Sequence, residues 1–243
     1  MVTSPEDSAI ILDHLASVRR RIAEACARVG RDPAEIRLLL ATKTVTPERI
    51  RVAVEAGATL LGENRVQEAL GKYEAIPEAE WHFIGHLQTN KVRQVLQFAK
   101  VIQSVDRPSL VEALDARLQS EGRAIDVLLQ VNTSYEESKY GVAPEQALDL
   151  ARLVKSHDTL RVRGLMTIGP LSDDLERVRR AYRLLREIHG QVEGELGPLP
   201  ILSMGMSGDF ELAIEEGATL VRVGTTVFGA RAHPDSHYWP DGK

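Results

Sequence analysis

Two stretches near the end of the chain carry residues suited to holding an anion. The first, Ser203-Met204-Gly205-Met206-Ser207-Gly208-Asp209, runs into a helical pattern over 209–216, and the second, Arg222-Val223-Gly224-Thr225-Thr226, precedes a short helical segment. Small residues let backbone N–H groups approach a phosphate, and a hydroxyl near a helix N-terminus sits where the helix dipole favours negative charge. Glycine and serine also serve as plain turn and cap residues, so either stretch alone is ambiguous. Together they point to a phosphorylated ligand.

Lys43, in Ala41-Thr42-Lys43-Thr44, lies just beyond a β-type run. Desolvated there, its amine would have a lowered pKa and could attack an aldehyde to form an imine. The alternative is a strand-end lysine that snorkels to water. Arg222 interrupts the apolar run Leu220, Val221, Val223, so its permanent charge demands a partner, either a ligand or a buried structural ion pair. Asn64, in Gly62-Glu63-Asn64-Arg65, could hydrogen-bond a ligand or cap the helix that follows. His82 and His86 flank Phe83-Ile84-Gly85 without the helical context of a His-Glu-x-x-His zinc site, and no metal is expected. The single cysteine, Cys26, falls in a helical pattern and reads as a small buried residue.

These groups need a scaffold. Apolar positions Ile10, Ile11, Leu15, Val18, Ile22 and Ala25 recur at helical spacing, and Gly30 then stops the pattern where a capping glycine belongs. Afterwards eight β-type runs, at 36–41, 59–62, 81–84, 101–104, 125–131, 162–167, 201–203 and 220–223, alternate with helical patterns at 47–56, 64–73, 90–98, 108–119, 144–156, 175–189 and 209–216. Strand and helix in regular alternation predict parallel strands joined by helical crossovers, and eight of them predict a (β/α)8 barrel. Such a barrel places its functional groups at the carboxyl ends of the strands and commonly holds phosphate after strands seven and eight, where the two stretches above fall. A local echo, Ala53-Val54-Glu55-Ala56-Gly57-Ala58-Thr59-Leu60 against Ala213-Ile214-Glu215-Glu216-Gly217-Ala218-Thr219-Leu220, predicts the same turn at two entries into the barrel. An open doubly wound sheet is the rival fold, but no Gly-x-Gly-x-x-Gly follows the first strand.

The 243 residues, 43% hydrophobic and 27% charged, suit one globular α/β domain spanning 1–243, with the barrel over about 35–231 and a polar tail at 233–243 that includes His233 and His237. A net charge of −5 gives no pull toward nucleic acid or acidic membrane surfaces. No apolar run approaches the roughly 20 residues of a membrane span, and the N-terminus lacks a signal-peptide pattern, so a cytoplasmic protein is expected.

Ala41-Thr42-Lys43-Thr44, Gly62-Glu63-Asn64 with Val66-Gln67-Glu68, the run from Trp81 through His82, Gly85, His86 and Asn90 to Lys91, Arg163-Gly164-Leu165-Met166, the run from Leu202 to Phe210, and Val221-Arg222-Val223-Gly224 with Phe228-Gly229 closely resemble the pyridoxal phosphate homeostasis protein family. The resemblance implies a barrel like the alanine racemase N-terminal domain, with pyridoxal 5′-phosphate (PLP) held as a Schiff base on Lys43. It further implies that Ser207, Gly224 and Thr225 contact the phosphate, that Asn64 lies near the ring, and that Arg222 faces the pyridine nitrogen. Lys139 matches a lysine near the site mouth and reads as a secondary aldehyde acceptor, a guide for release or a plain surface lysine. Leu61 and Arg65 depart from the family pattern, which often has a phenylalanine before Gly-Glu-Asn and commonly an aromatic or other residue after it, and they leave the ring-side packing open.

A cationic arginine beside the pyridine nitrogen disfavours ring protonation and weakens the electron sink that transamination needs. Racemisation tolerates such a ring but requires acid/base groups on both faces of the substrate carbon, and alanine racemases take one from a second domain that this chain is expected to lack. The expected function is therefore non-catalytic PLP homeostasis, in a monomer or weak dimer, with PLP-dependent apoenzymes as possible recipients. A weak amino-acid racemase or related PLP enzyme is the alternative, and a cofactor-free barrel enzyme acting on a phosphorylated metabolite is a third reading.

Overall fold

A computed structural model of the chain describes residues 3–230. The expected tail at 233–243, with His233 and His237, lies outside the described residues, as does residue 231. The chain opens with α1 (Pro5–Arg28), started by the Ser4 hydroxyl accepting from the Asp7 amide at 3.1 Å and by Pro5 in the first turn. Ile11, Leu15, Val18, Ile22, Ala25 and Cys26 form its buried stripe, whereas Ile10 is turned to solvent.

There follow β1 (Arg37–Ala41), α2 (Pro47–Glu55), β2 (Leu60–Glu63), α3 (Val66–Leu70), β3 (Glu80–Phe83), α4 (Val92–Val95), β4 (Val101–Val105), α5 (Pro108–Glu121), β5 (Ile125–Gln130), α6 (Ala147–Lys155), β6 (Leu160–Met166), α7 (Leu175–Leu196), β7 (Ile201–Ser203), α8 (Phe210–Glu215), β8 (Leu220–Val223) and α9 (Thr225–Phe228). All eight strands pair in parallel and in chain order, and β8 returns to β1 with Leu39 opposite Arg222 and Leu40 opposite Val223, which closes the barrel. The α/β barrel expected from the alternation is therefore present. The helices expected at 64–73 and 90–98 are shorter: Gly71 caps α3 and a 3-10 turn follows, and α4 is likewise preceded by a 3-10 turn.

The echo marks one turn used twice. In both copies the glycine takes a positive φ, +83° at Gly57 and +105° at Gly217. Ala58 N–H donates to Ala53 O at 3.0 Å and Ala218 N–H to Ala213 O at 2.8 Å, which satisfies the ends of α2 and α8 before β2 and β8 begin.

Two apolar layers hold the fold. The larger lies between strands and helices, and α1 joins it by packing on α2, α8 and α9 across the β8–β1 closure. The smaller fills the barrel interior with Leu39, Leu60, Ile84, Val101, Leu128, Met166, Ile201 and Leu220, one residue from each strand or its continuation. Each such side chain contributes about 1.5–3 kcal/mol through burial. Fully buried His82, Gln103 and Ser203 share this interior, and the candidate site begins at the carboxyl ends of the strands. Among the described residues no helix is long and apolar enough to cross a membrane.

Candidate functional site

A cavity of about 560 Å³ opens at the carboxyl ends of the strands. Lys43 after β1, Asn64 after β2, Ser207 after β7, Arg222 in β8, and Gly224 and Thr225 after β8 all line it. Six residues spread over 183 positions, from Lys43 to Thr225, thus meet in one place because closure sets β1 beside β8. Ile84, Ile168, Met206 and Phe228 add apolar wall, and Arg49, which the sequence reading missed, lies at the edge. Arg49 is fixed there by a two-point pair with Asp7 at 2.8 and 3.0 Å and by donation to Phe228 O at 2.8 Å.

The loops after β7 and β8 touch. Gly224 N–H donates to Ser207 Oγ at 3.2 Å, so a backbone donor and a hydroxyl share one corner of the cavity. The first loop is braced by Met206 N–H, which donates to the Asp209 carboxylate at 2.6 Å.

The turn that carries Lys43 is held on both sides. Thr42 Oγ1 donates to Glu63 Oε1 at 2.7 Å, and Lys72 Nζ donates to that oxygen at 2.7 Å and to Thr42 O at 2.8 Å. Thr44 adopts φ +63°, a left-handed conformation unusual for a β-branched residue. Glu63 is fully buried, and its desolvation raises its carboxyl above the usual carboxylate range while Lys72 opposes the rise. This cluster was missed in sequence, where only the four-residue spacing of Glu68 and Lys72 hinted at a pair.

Asn64 does not cap α3. The cap position belongs to Arg65 and carries no side-chain cap bond, and Asn64 Oδ1 is buried without a hydrogen-bond partner among the described residues. Asn64 as a residue lines the cavity, and its buried oxygen is left unsatisfied. Gly85 presses on this residue so closely that an added Cβ would lie 2.1 Å from Asn64 O.

Arg222 is 4% exposed and forms no ion pair among the described residues, contrary to the structural-pair alternative. Its guanidinium instead donates to Ser203 Oγ at 2.6 Å and to Thr167 O at 2.7 Å. Burial pushes its pKa down to about 10, which leaves it cationic at neutral pH. Lys139 does not line the cavity. Its amine donates to Gly169 O at 2.8 Å and pairs with Glu136 at 3.3 Å, tying the loop after β5 to the loop after β6. Cys26 is buried in the α1 stripe, and burial raises its thiol pKa.

The family model for the alanine racemase N-terminal domain matches residues 14–232. A protein of Aquifex aeolicus named pyridoxal phosphate homeostasis protein is 46% identical over 224 residues, covering 91% of this chain and 98% of that one. The chain belongs to the pyridoxal phosphate homeostasis protein family. Solved structures agree with this family placement. The crystal structure of an unknown protein from Bifidobacterium adolescentis superposes with a TM-score of 0.90 at 38% identity, over 93% of this chain and 98% of that one. PipY of Synechococcus elongatus, solved with PLP bound, superposes with a TM-score of 0.74 at 33% identity, over 86% of this chain and all of that one.

Proposed function

We propose that this member of the pyridoxal phosphate homeostasis family binds PLP in the cavity at the carboxyl end of the barrel, holds it covalently on Lys43, and acts as a non-catalytic carrier that buffers, protects or delivers the cofactor to apoenzymes. The observation that carries this reading is the convergence of Lys43 with Ser207, Gly224, Thr225, Asn64 and Arg222 on one cavity wall. The residues fit the group. The Gly224 amide and the Ser207 and Thr225 hydroxyls would hold the phosphate, Asn64 would lie beside the ring, and buried Arg222 would stand by the pyridine nitrogen.

PLP supplies an aldehyde that condenses with an amine. Lys43 is the residue whose amine would hold that aldehyde carbon, with the carbonyl oxygen and the two amine hydrogens leaving as water. Arg222 cannot accept a proton from the ring and disfavours its protonation, so the chain's own residues bind and orient the cofactor more than they activate it. Among the described residues lining the cavity, no imidazole, phenol, thiol or carboxylate stands with Lys43 as a second acid/base group.

Incubation of the PLP-loaded protein with alanine in D2O tests the carrier reading against the racemase alternative. The carrier leaves the α-hydrogen unexchanged on the enzymatic timescale. Exchange at rates of about 1 s⁻¹ or faster, within the usual range of turnover, makes the protein an enzyme.

A further inference from the structure

The polar groups beneath Arg222 form one unbroken line through the barrel. Arg222 Nη1 lies 2.6 Å from Ser203 Oγ, Ser203 Oγ lies 2.7 Å from Gln103 Oε1, Gln103 Nε2 lies 2.8 Å from His82 Nδ1, and His82 Nε2 lies 2.8 Å from Glu80 Oε1. At the far end Arg37 Nη2 donates to Glu80 Oε2 at 2.8 Å. Ser203 and Gln103 belong to β7 and β4, which are not neighbours in the sheet, so they meet across the interior. Ser203, Gln103 and His82 are fully buried, whereas the Glu80 and Arg37 side chains are 41% and 42% exposed. The line therefore runs from the cavity at the carboxyl mouth to solvent at the opposite mouth.

With the Gln103 amide oriented with Oε1 toward Ser203, the line has one polarity. Guanidinium has donors only, so Ser203 Oγ accepts from Arg222 and gives its own proton to Gln103 Oε1. That oxygen assignment turns the Gln103 amide nitrogen toward His82, whose Nδ1 must accept. His82 is then neutral, with its proton on Nε2 and donated to Glu80. Every donor points away from the cavity, with a cation at one end and a carboxylate at the other. A second proton on His82 would set Nδ1–H against the Gln103 NH2 group. Relief requires the amide to flip, which removes the acceptor that orients the Ser203 hydroxyl. The charged groups acting on His82 are Glu80 on its own strand, Arg37 on β1 and Asp126 on β5. Burial holds its imidazole below the usual range, with Glu80 opposing, in keeping with the neutral form.

We propose that His82 and Gln103 are positioning residues for Arg222, acting through Ser203, and that this line couples the cofactor cavity to the charges at the opposite mouth of the barrel. The proposal rests on the PLP reading only where it concerns the cofactor. The coupling of Arg222 to His82 belongs to the chain itself.

The test therefore has two readouts. In the full chain without PLP, ¹⁵N NMR reports the His82 tautomer and its titration; in the PLP-loaded chain, the pH midpoint of the visible cofactor band reports the ring environment. We expect an Nε2–H tautomer whose titration midpoint moves in Ser203→Ala, and a band midpoint displaced by about one pH unit in His82→Leu and Gln103→Leu. The amide of His82→Gln, which has both donor and acceptor but does not titrate, restores the band. Glu80→Gln, a substitution at the partly exposed end that spares the interior, moves both midpoints in the same sense if interior variants fail to fold. An Nδ1–H tautomer, or His82 titration unchanged by Ser203→Ala and Glu80→Gln, overturns the line. A normal His82 response in a chain that retains no PLP supports the line and overturns the PLP reading. Wild-type band behaviour in His82→Leu, Gln103→Leu and Glu80→Gln overturns the positioning role.

Discussion

The Thr44 amide donates to the Glu68 carboxylate at 2.9 Å, one residue after Lys43. This bond holds a β-branched residue at φ +63°, a conformation that costs about 1–3 kcal/mol and persists only when its surroundings fix it. Glu68 is itself held by Lys72 at 3.3 Å, and Lys72 also grips Thr42 O, so the backbone on both sides of Lys43 answers to one buried ammonium group. The proposed tether is thus preorganised before any ligand arrives.

Removing the Glu68 contact should loosen that turn more than it harms the fold. Glu68→Ala is expected to destabilise the protein by about 1–2 kcal/mol and to slow covalent capture of PLP by about tenfold, roughly the effect of 1.4 kcal/mol on a barrier. Stopped-flow absorbance after mixing with PLP measures the capture rate. Thr44→Gly, which accepts positive φ without strain, should leave stability unchanged or raise it by up to about 1 kcal/mol.

Arg222→Lys keeps a cation at β8 but replaces a planar donor fork with a point charge. Of the bonds to Ser203 Oγ and Thr167 O, the ammonium can satisfy at most one with good geometry. We expect a loss of about 1.5–3 kcal/mol from the other, which at this chain length lowers Tm by roughly 2–4 °C per kcal/mol. Calorimetry of the PLP-free protein measures it, and an unchanged Tm would show that the lost bond contributes nothing net.

Gly85→Ala tests the packing at the cavity wall. Its Cβ would collide with the Asn64 carbonyl at 2.1 Å, a backbone atom that cannot swing aside. Overpacking of this kind costs typically about 1–3 kcal/mol, and it should also displace Asn64 and weaken PLP binding. Equilibrium dialysis of PLP against both proteins compares the affinities.

The buried imidazole of His82 makes stability depend on pH. Its folded-state pKa lies below the unfolded value, which is about 6.5. Its contribution is therefore fully present above that pH and is lost as the pH falls toward the folded pKa, because the unfolded chain takes up a proton that the native chain refuses. Urea unfolding at pH 7.5 and 5.5 should show a smaller free energy at the lower pH, and His82→Gln should reduce that difference.

The sequence disclosed the barrel because its strands differ sharply in period from its helices, and because the glycine turns at Gly57 and Gly217 repeat almost letter for letter. It also pointed to both loops that line the cavity, since a hydroxyl and glycines after strands seven and eight carry their position with them. What stayed hidden was whatever depended on closure. Ser203 and Gln103 are a hundred positions apart and read singly as ordinary strand residues, yet closure sets their side chains in contact. Arg222 signalled in sequence that it needed a partner, but the partners proved to be a hydroxyl and a carbonyl, which no charge pattern marks. Asn64 read without the fold left ligand contact and helix capping both open, and capping is excluded only by the path of the chain through Arg65. In the cluster around the Lys43 turn only the Glu68–Lys72 spacing was local, and the links to Glu63 and Thr42 depended on the fold.

Borohydride reduction of the PLP-loaded protein, followed by peptide mass mapping, tests the proposed covalent tether most directly. We predict a reduced pyridoxyl adduct on the peptide that contains Lys43, and its loss in Lys43→Ala. A label carried by Lys72, Lys139 or any other lysine in the wild-type protein, with Lys43 unmodified, would contradict the account.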